Sequence, residues 1–432
     1  MSLSCRRPRV LILAEECNPE WPSLPIVGYK YAREIARGAD VTLVTHVRNR
    51  ENIEKAGYDV PVTYLDTEWL AGPMYKVERI VRGGDDIGWS TSKMFAYLPY
   101  VAFERAAWTR FRTELRSGAF DLVHRITPMT PTLPSYIAHK SPVPFLIGPM
   151  NGNLDWPAAF AAEQKRENET LRRFRDFYKY LPYARSTYDR AAAVLTAFSH
   201  TRRDLSRVED ARIVPFPEIG FDPSIFHGIG TLPAGRRSED GKVHFLHAGR
   251  LVPYKLPELP IRAFGASEIL RQHHLHIVGD GPELPRMQAA IAEEGLEACV
   301  TLHGRKTQTE LADWMRRCDV FVHPSIRELG AGVVVEAMAC GIEVMVTAYG
   351  APGDLAAEGR GAMVEMADFD TLVAGFRREM EAVAEAPDRA AAVAARGQAY
   401  AETLYTWRAK GEKTLELYEA VLSGRPLSGL GY

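Results

Sequence analysis

The chain has 432 residues, 46% of them hydrophobic and 25% charged, with a formal net charge of −2. That length exceeds one ordinary core and predicts two domains. The balanced charge argues against nucleic acid as a partner, and no apolar run approaches the roughly 18 residues of a membrane span.

In chain order, Arg6 and Arg7 precede a short apolar run, Val10–Ala14, and Glu15 and Glu16 follow at once. This reads as a first strand and not as a signal peptide. RVLILA (9–14), DVTLVTH (40–46), DLVH (121–124), PFLIGP (144–149) and AVLTAF (193–198) read as buried strands of an open parallel sheet. VGYKYAREIARG (27–38) reads as a helix closed by a glycine. The segment 163–186, EQKRENETLRRFRDFYKYLPYARS, alternates basic and aromatic residues. It suits an amphipathic helix with solvated arginines, or a weak peripheral contact with an anionic membrane or a phosphorylated acceptor. GWSTSKMFAYLPY (88–100) is a candidate lining for an acceptor pocket.

The pattern lapses into GIGTLPAGRRSEDGK (228–242), rich in glycine and charge, which predicts a linker over 227–242. A second series follows: KVHFLHAGR (242–250), LHIVGDG (275–281), VTLHG (300–304), DVFVHPS (319–325) and EVMVTA (343–348). Strand and helix alternate again. The predicted architecture is therefore α/β, with two Rossmann-like doubly wound domains, 1–226 and 243–405, facing a central cleft. An amphipathic helix over 406–432 closes the chain.

Five cysteines, Cys5, Cys17, Cys299, Cys318 and Cys340, form no CxxC pair. That argues against a zinc site and a disulfide framework, and for a reduced, cytoplasmic location. Asn168-Glu-Thr170 is a glycosylation sequon, read as chance. His273, His274 and His276 sit where a helix gives way to a strand, with no acidic residue in register, and are not expected to bind metal. Asp368-Phe-Asp370 precedes a helical run and is read as a cap and not a metal-bridging DxD.

The chemistry concentrates in the second series. Gly249 ends a strand, and Arg250 and Lys255 follow on the same connection, a pairing of forked and compact donors that suits a pyrophosphate. The plain alternative is a surface loop with two solvated cations. IVGDGPEL (277–284) has no GxGxxG, which removes the dinucleotide fingerprint; it reads as a tight turn bordering the cleft. SIRELGAGVVVEAMACG (325–341) places Glu328 on a loop and Glu336 in the early turns of a helix starting near Gly332 and stopping at Gly341. Gly330, Ala331, Gly332 and Val333 would let a ligand meet backbone N–H groups at the helix N-terminus, where the dipole favours an anion. Two acids flanking phosphates suit a molecule with hydroxyls on both sides of a pyrophosphate, a nucleotide-sugar. The plain alternative is one acid near a helix start and another on its exposed side.

GRLVPYK (249–255), IVGDGP (277–282), VTLHG (300–304) and CDVFVHPSIRELGAGVVVEAMACG (318–341) resemble the retaining glycosyltransferases of family GT4, which have the GT-B fold. In the first domain the resemblance rests on Gly28, DLVHRITP (121–128), GPMNGN (148–153) and RIVPFPEIGFDPSIF (212–226). Tyr405-x-Trp407 and its helix look like the segment that crosses back to the N-terminal domain. The resemblance implies that Arg250 and Lys255 hold the donor diphosphate and stabilise the leaving group. Glu336 would accept from ribose hydroxyls, Glu328 from the donor sugar, and Gly249 and the backbone of 331–333 would meet phosphates. It also implies His124 near the transferred sugar and Gly28 admitting donor and acceptor. The chain departs from the family at Gly330-Ala331, where Phe-Gly is common, at Leu256-Pro257 after the lysine, at Glu343 for Pro, and at Glu218-Ile219-Gly220 for Asn-Gly.

The implied activity is retaining, metal-independent transfer of a hexose-like sugar from a nucleotide diphosphate-sugar to an acceptor hydroxyl, with no further cofactor. The donor would be UDP-linked first and GDP-linked next; the acceptor would be a small molecule, a lipid-linked group or a saccharide. The competing expectations are a nucleotide-sugar isomerase or epimerase of the same fold, and a non-catalytic nucleotide-sugar binder.

Overall fold

The computed structural model describes residues 6–82, 89–167, 177–228 and 240–432. Cys5, the sequon, most of the linker, and parts of the 88–100 and 163–186 segments lie outside them. The chain divides into two compact units: one of residues 1–153, 168–218 and 407–432, the other of residues 154–167 and 219–406. The stretch 154–167 thus packs with the second unit, and the last helix, Trp407–Ser423, with the first.

The first unit is a parallel sheet whose described strands are β1 (Arg9–Ala14), β2 (Asp40–His46), β3 (Val62–Leu65), β4 (Leu122–Thr127), β5 (Phe145–Met150), β6 (Ala191–Thr196) and β7 (Ile213–Pro215). Their order is β3-β2-β1-β4-β5-β6-β7. β1 and β4 are wholly or almost wholly buried, and one face covers each side of the sheet with helices. This is why their sequences read as continuous apolar runs. The helix predicted over 27–38 runs Leu24–Ala36 and buries Gly28, Tyr29, Tyr31, Ala32 and Ile35. The closing helix packs beside it, with Tyr31 Oη 2.7 Å from Thr414 Oγ1.

The second unit repeats the plan with β8 (His244–Ala248), β9 (His274–Val278), β10 (Val300–Leu302), β11 (Val320–His323), β12 (Glu343–Thr347) and β13 (Ala362–Val364), in the order β10-β9-β8-β11-β12-β13. Its core joins Phe245, Leu275, Ile277, Val320, Val322 and Met345 to helix residues such as Phe264, Met287 and Phe376. The short edge strands β3, β7 and β13 carry three or four residues each, too few for a periodic pattern to declare them in the sequence. In both units the strand order reverses between the first and fourth strands of the series, β1/β4 and β8/β11. Open α/β sheets bind ligands outside the carboxyl ends of the strands at such a reversal.

Asp368 caps the helix Phe369–Glu385, accepting from Thr371 N at 3.0 Å, as the capping reading of Asp368-Phe-Asp370 expects. No described helix is long and apolar enough to cross a membrane. The described part of 163–186 is not one helix. The helix Ala161–Arg166 pairs Arg166 with Glu283 inside the second unit, whereas a 3₁₀ turn at 177–180 and the helix Ala184–Arg190 belong to the first.

Candidate functional site

At the β8/β11 reversal, two loops from distant sequence meet. β8 runs in register with β11, Phe245 beside Val320 and Leu246 beside Phe321, so Gly249 and Pro324 leave the sheet side by side. The loops are then stitched together: Tyr254 O accepts from Ile326 N at 2.9 Å and from Ser325 Oγ at 3.2 Å. The Gly-Asp-Gly turn backs this arrangement. Gly249 N donates to Val278 O at 3.0 Å and Leu251 N to Asp280 O at 2.9 Å. A Cβ on Gly279 would collide with the Gly249 carbonyl, so the turn is a structural support, as its sequence suggested.

Lys255 and Glu328 end up in contact, Nζ 2.6 Å from Oε1, with both side chains almost buried. Gly249 has φ +141°, which favours glycine there, and Lys255 Nζ lies over it, 3.3 Å from where a Cβ would stand. His323, fully buried at the end of β11, sets Nε2 3.5 Å from the same Glu328 oxygen. Burial pushes the Glu328 carboxyl up, but the Lys255 charge and the His323 contact outweigh it and hold the group at about 2. Burial opposes the Lys255 charge in turn, and Glu328 overrides it, so the ammonium sits above its usual range. The pair is ionised at neutral pH. The Glu328 backbone is fixed as well, its carbonyl accepting from Ala351 N at 3.1 Å.

Arg250 is exposed beside this pair and donates to Tyr254 Oη at 2.9 Å. Beyond Glu328 the chain turns into the helix Gly332–Ala339, and Gly341 stops it in a left-handed conformation, φ +69°. The turn is made differently from expectation. Neither Gly330 nor Gly332 has a positive φ; Ala331 takes the left-handed position at φ +51° and serves as the N-cap. It offers no side-chain cap, and a Cβ on Gly332 would meet nothing nearer than Ile219 at 4.0 Å. The helix start thus has room beside Gly332 and lacks the Ser, Thr, Asp or Asn that usually caps such an end. Glu336 sits one turn further, half-buried. Leu256, where the family usually has glycine, is left-handed too, at φ +44°.

Two sequence candidates take structural roles instead. His124 is fully buried on β4, with Nδ1 2.6 Å from Tyr418 Oη and Nε2 2.8 Å from Gly148 O. Burial lowers its pKa to about 4, so it is a neutral ring tying the last helix to the sheet. Both ring nitrogens therefore already have partners inside the first unit. Gly28 lies one turn into its helix, and a Cβ there would stand 2.6 Å from Glu16 O and 3.1 Å from Thr127 Cγ2. Glycine there admits the neighbouring loop and β4. Glu343 stands at the start of β12, the opposite end of the sheet from Glu328, so that departure does not touch this site.

Sequence reasoning passed over His323, Tyr254 and Trp156. Arg327 stacks over the Trp156 ring at 5.2 Å, drawing 154–167 toward the Glu328 loop. His323 ends β11, just before Pro324-Ser325, and could have been flagged as a strand-end histidine five residues before an acid. Trp156 carries no local signal, because its segment joins the second unit from far upstream.

Residues 231–394 match the family model described as glycosyl transferases group 1, a span that includes the whole Lys255–Glu328 arrangement. They belong to that family. The chain is also similar to curated relatives. A D-inositol 3-phosphate glycosyltransferase of Stackebrandtia nassauensis is 29% identical over 237 residues, 52% of this chain and 52% of that protein. One from Arthrobacter sp. is 30% identical over 197 residues, 42% of this chain and 44% of its own length. The chain thus matches about half the length of these relatives or less. Among solved structures, Anabaena HepE in complex with UDP and glucose covers 96% of this chain and is covered over its full length, at TM-score 0.58 and 16% identity. Sucrose-phosphate synthase from Thermosynechococcus elongatus covers 97%, again over its full length, at TM-score 0.59 and 18% identity. These likenesses show the fold, GT-B, of two parallel-sheet α/β domains.

Proposed function

We propose that the chain is a retaining hexosyltransferase (EC 2.4) that moves a sugar from a nucleotide diphosphate-sugar to an acceptor hydroxyl without a metal. The observation that carries this reading is the ionised Lys255–Glu328 pair beside an uncapped helix start, at the strand ends where the second sheet reverses its order. Arg250 and Lys255 supply positive charge to the two phosphoryl groups, and the helix N-terminus supplies aligned N–H groups to the same anion. Charge that grows on the leaving diphosphate during transfer is met by groups fixed before the reaction, so a metal is not needed to neutralise it. Glu328, held as a carboxylate, accepts from hydroxyls of the donor sugar, and Glu336 accepts from the ribose. The leaving phosphate takes the acceptor proton on the face from which it departs, which retains the anomeric configuration.

A UDP-sugar is the first choice of donor, consistent with the UDP and glucose bound by Anabaena HepE, and a GDP-sugar the second. The acceptor is a small molecule, a lipid-linked group or a saccharide. Cys17, Cys299, Cys318 and Cys340 are all buried free thiols, which supports a reducing, cytoplasmic setting. An isomerase would need acid–base groups at the reacting carbon. The nearest histidine, His323, is instead fully buried against Glu328 and has a pKa lowered by burial.

The test is a thermal-shift screen against UDP, GDP, ADP and their sugar conjugates, followed by a product assay with the stabilising donor. A ligand at a hundred times its dissociation constant adds about 2.7 kcal/mol to stability. Stabilisation by one diphosphate series and not the others supports the reading; no shift with any of them overturns it.

A further inference from the structure

The histidines set aside in the sequence have an acidic neighbour after all, supplied by the residues just before β8. His244 and His274 open β8 and β9 directly opposite one another in register, and His276 lies diagonally across on the same face. Asp240 reaches this face from the entry to β8. Its Oδ2 lies 3.2 Å from His244 Nε2 and 3.8 Å from His274 Nε2, and the three ligand atoms all fall within 4.8 Å of one another. Metal–ligand bonds of about 2.0–2.1 Å at tetrahedral angles put neighbouring ligand atoms roughly 3.3 Å apart, so the three side chains need only small rotations to close on one ion.

The remaining contacts are those of a supported site. His244 turns Nδ1 to His276 Nε2 at 2.8 Å, and His276 turns Nδ1 to His303 Nε2 at 3.1 Å. Trp314 covers the last two rings, with centroids 4.8 and 4.1 Å away. A ligating imidazole is oriented by the partner of its other nitrogen, and here that partner is a chain of imidazoles. Asp240 is held by Lys242 N, which donates to Oδ1 at 2.9 Å. The Lys242 ammonium lies 3.3 Å from His274 Nε2, where it occupies part of the space an ion would take.

We infer that Asp240, His244 and His274 bind a divalent transition-metal ion, Zn²⁺ above all, at the N-terminal edge of the second sheet. Two imidazoles and one carboxylate suit a borderline cation and not Mg²⁺ or Ca²⁺, which take oxygen ligands. The site is separate from the proposed donor site. His244 begins β8 and Gly249 follows its end, and at about 3.3 Å per residue five steps separate them by roughly 16 Å. The ion's role is that of a clasp, fixing the entry to β8 onto β8 and β9, with Lys242 displaced toward solvent and water completing the coordination.

The experiment treats the full chain with chelator, then titrates Zn²⁺ by calorimetry and follows Tm. The expected result is one equivalent bound per chain, a Tm rise of several degrees reversed by chelator, and affinity reduced at least tenfold by Asp240→Asn. That carboxylate is exposed, so the substitution leaves the fold intact. Lys242→Ala removes the competing ammonium and should tighten binding several-fold. Co²⁺ in place of Zn²⁺ should give the visible absorption of a tetrahedral site, absent in His274→Ala. Failure to take up a stoichiometric equivalent, or Zn²⁺ binding unchanged in both Asp240→Asn and His274→Ala, would overturn the assignment. So would weaker binding in Lys242→Ala. None of these outcomes bears on donor binding, which the nucleotide screen reads separately.

Discussion

The two sheets reverse their strand order at equivalent places, yet the residues at those places do opposite things. At β1/β4 the polar group, His124, is buried with both ring nitrogens bonded inside its own unit, and Gly28 is filled in by a carbonyl and a methyl. At β8/β11 the polar groups are a buried ion pair, an exposed arginine and a helix start with no side-chain cap. Topology marks where a ligand can sit, and the charged groups at β8/β11 are what make that end the candidate. A strand-end histidine is a weak signal because a sheet edge offers it backbone partners. A lysine and a histidine 68 positions apart that converge on one Glu328 oxygen are a strong one.

The sharpest way to break this comparison is to substitute both regions and measure transfer. Lys255→Ala should lower turnover by about 10²–10⁴-fold, the range seen when charge-stabilising groups are removed. It should also cost about 3–5 kcal/mol, because Glu328 would be left buried and unpaired. The Lys255→Met/Glu328→Gln double variant removes both charges, and should recover most of the stability but none of the activity; recovered activity would sink the role given to the pair. His124→Ala should behave in the reverse way. It loses two buried hydrogen bonds and leaves a cavity, a cost of about 2–4 kcal/mol by denaturant titration, while kcat per folded molecule stays within a few-fold. A thousandfold loss of kcat would restore His124 to the site.

Acid separates the regions next. His124 in one unit and His247 in the other are buried neutral rings, at about 4 and about 3 against an ordinary 6.5. Below pH 6.5 the unfolded chain takes up protons that the folded chain refuses, so stability falls with pH from 6.5 toward 4. Glu328 is the opposite kind of group, depressed from 4.5 to about 2. Its contribution is complete above pH 4.5 and is lost only as pH falls from there toward 2. Chemical denaturation across pH should thus show a first loss shared by both units and a second that Glu328→Gln abolishes. A single loss below pH 4.5 would contradict the histidine account. The smallest effect is expected at Ala331. An L side chain in the left-handed region costs about 1–2 kcal/mol, offset by the entropy of glycine in the unfolded chain. Ala331→Gly should stabilise by about 0.5–1 kcal/mol in a denaturant midpoint shift, and a destabilised variant would mean the Ala331 methyl packs usefully.

Much of this was legible in the sequence. The long buried strands read as apolar runs because both faces of a parallel sheet are covered, and the helix from Gly332 to its stop at Gly341 followed from the small residues and the terminal glycine. Arg250, Lys255 and Glu328 stood out as candidates because they are charged groups on the loops that follow strands. Hidden were the edge strands β3, β7 and β13, which are too short for periodicity, and the passage of 154–167 into the second unit, which depends on contacts with residues far along the chain.

The sequence by itself determined the alternation of strand and helix, the doubly wound class and the charged residue types at the strand ends of the second sheet, because these depend on local period and side-chain chemistry. Only the tertiary structure decided which charges meet and which histidines are already occupied. It set Lys255 against Glu328, tied His124 to Tyr418 and Gly148, and brought Asp240 to His244 and His274. Ionisation, desolvation and metal geometry depend on separations of a few ångströms, and those are fixed by sheet register and loop packing, which no linear spacing contains.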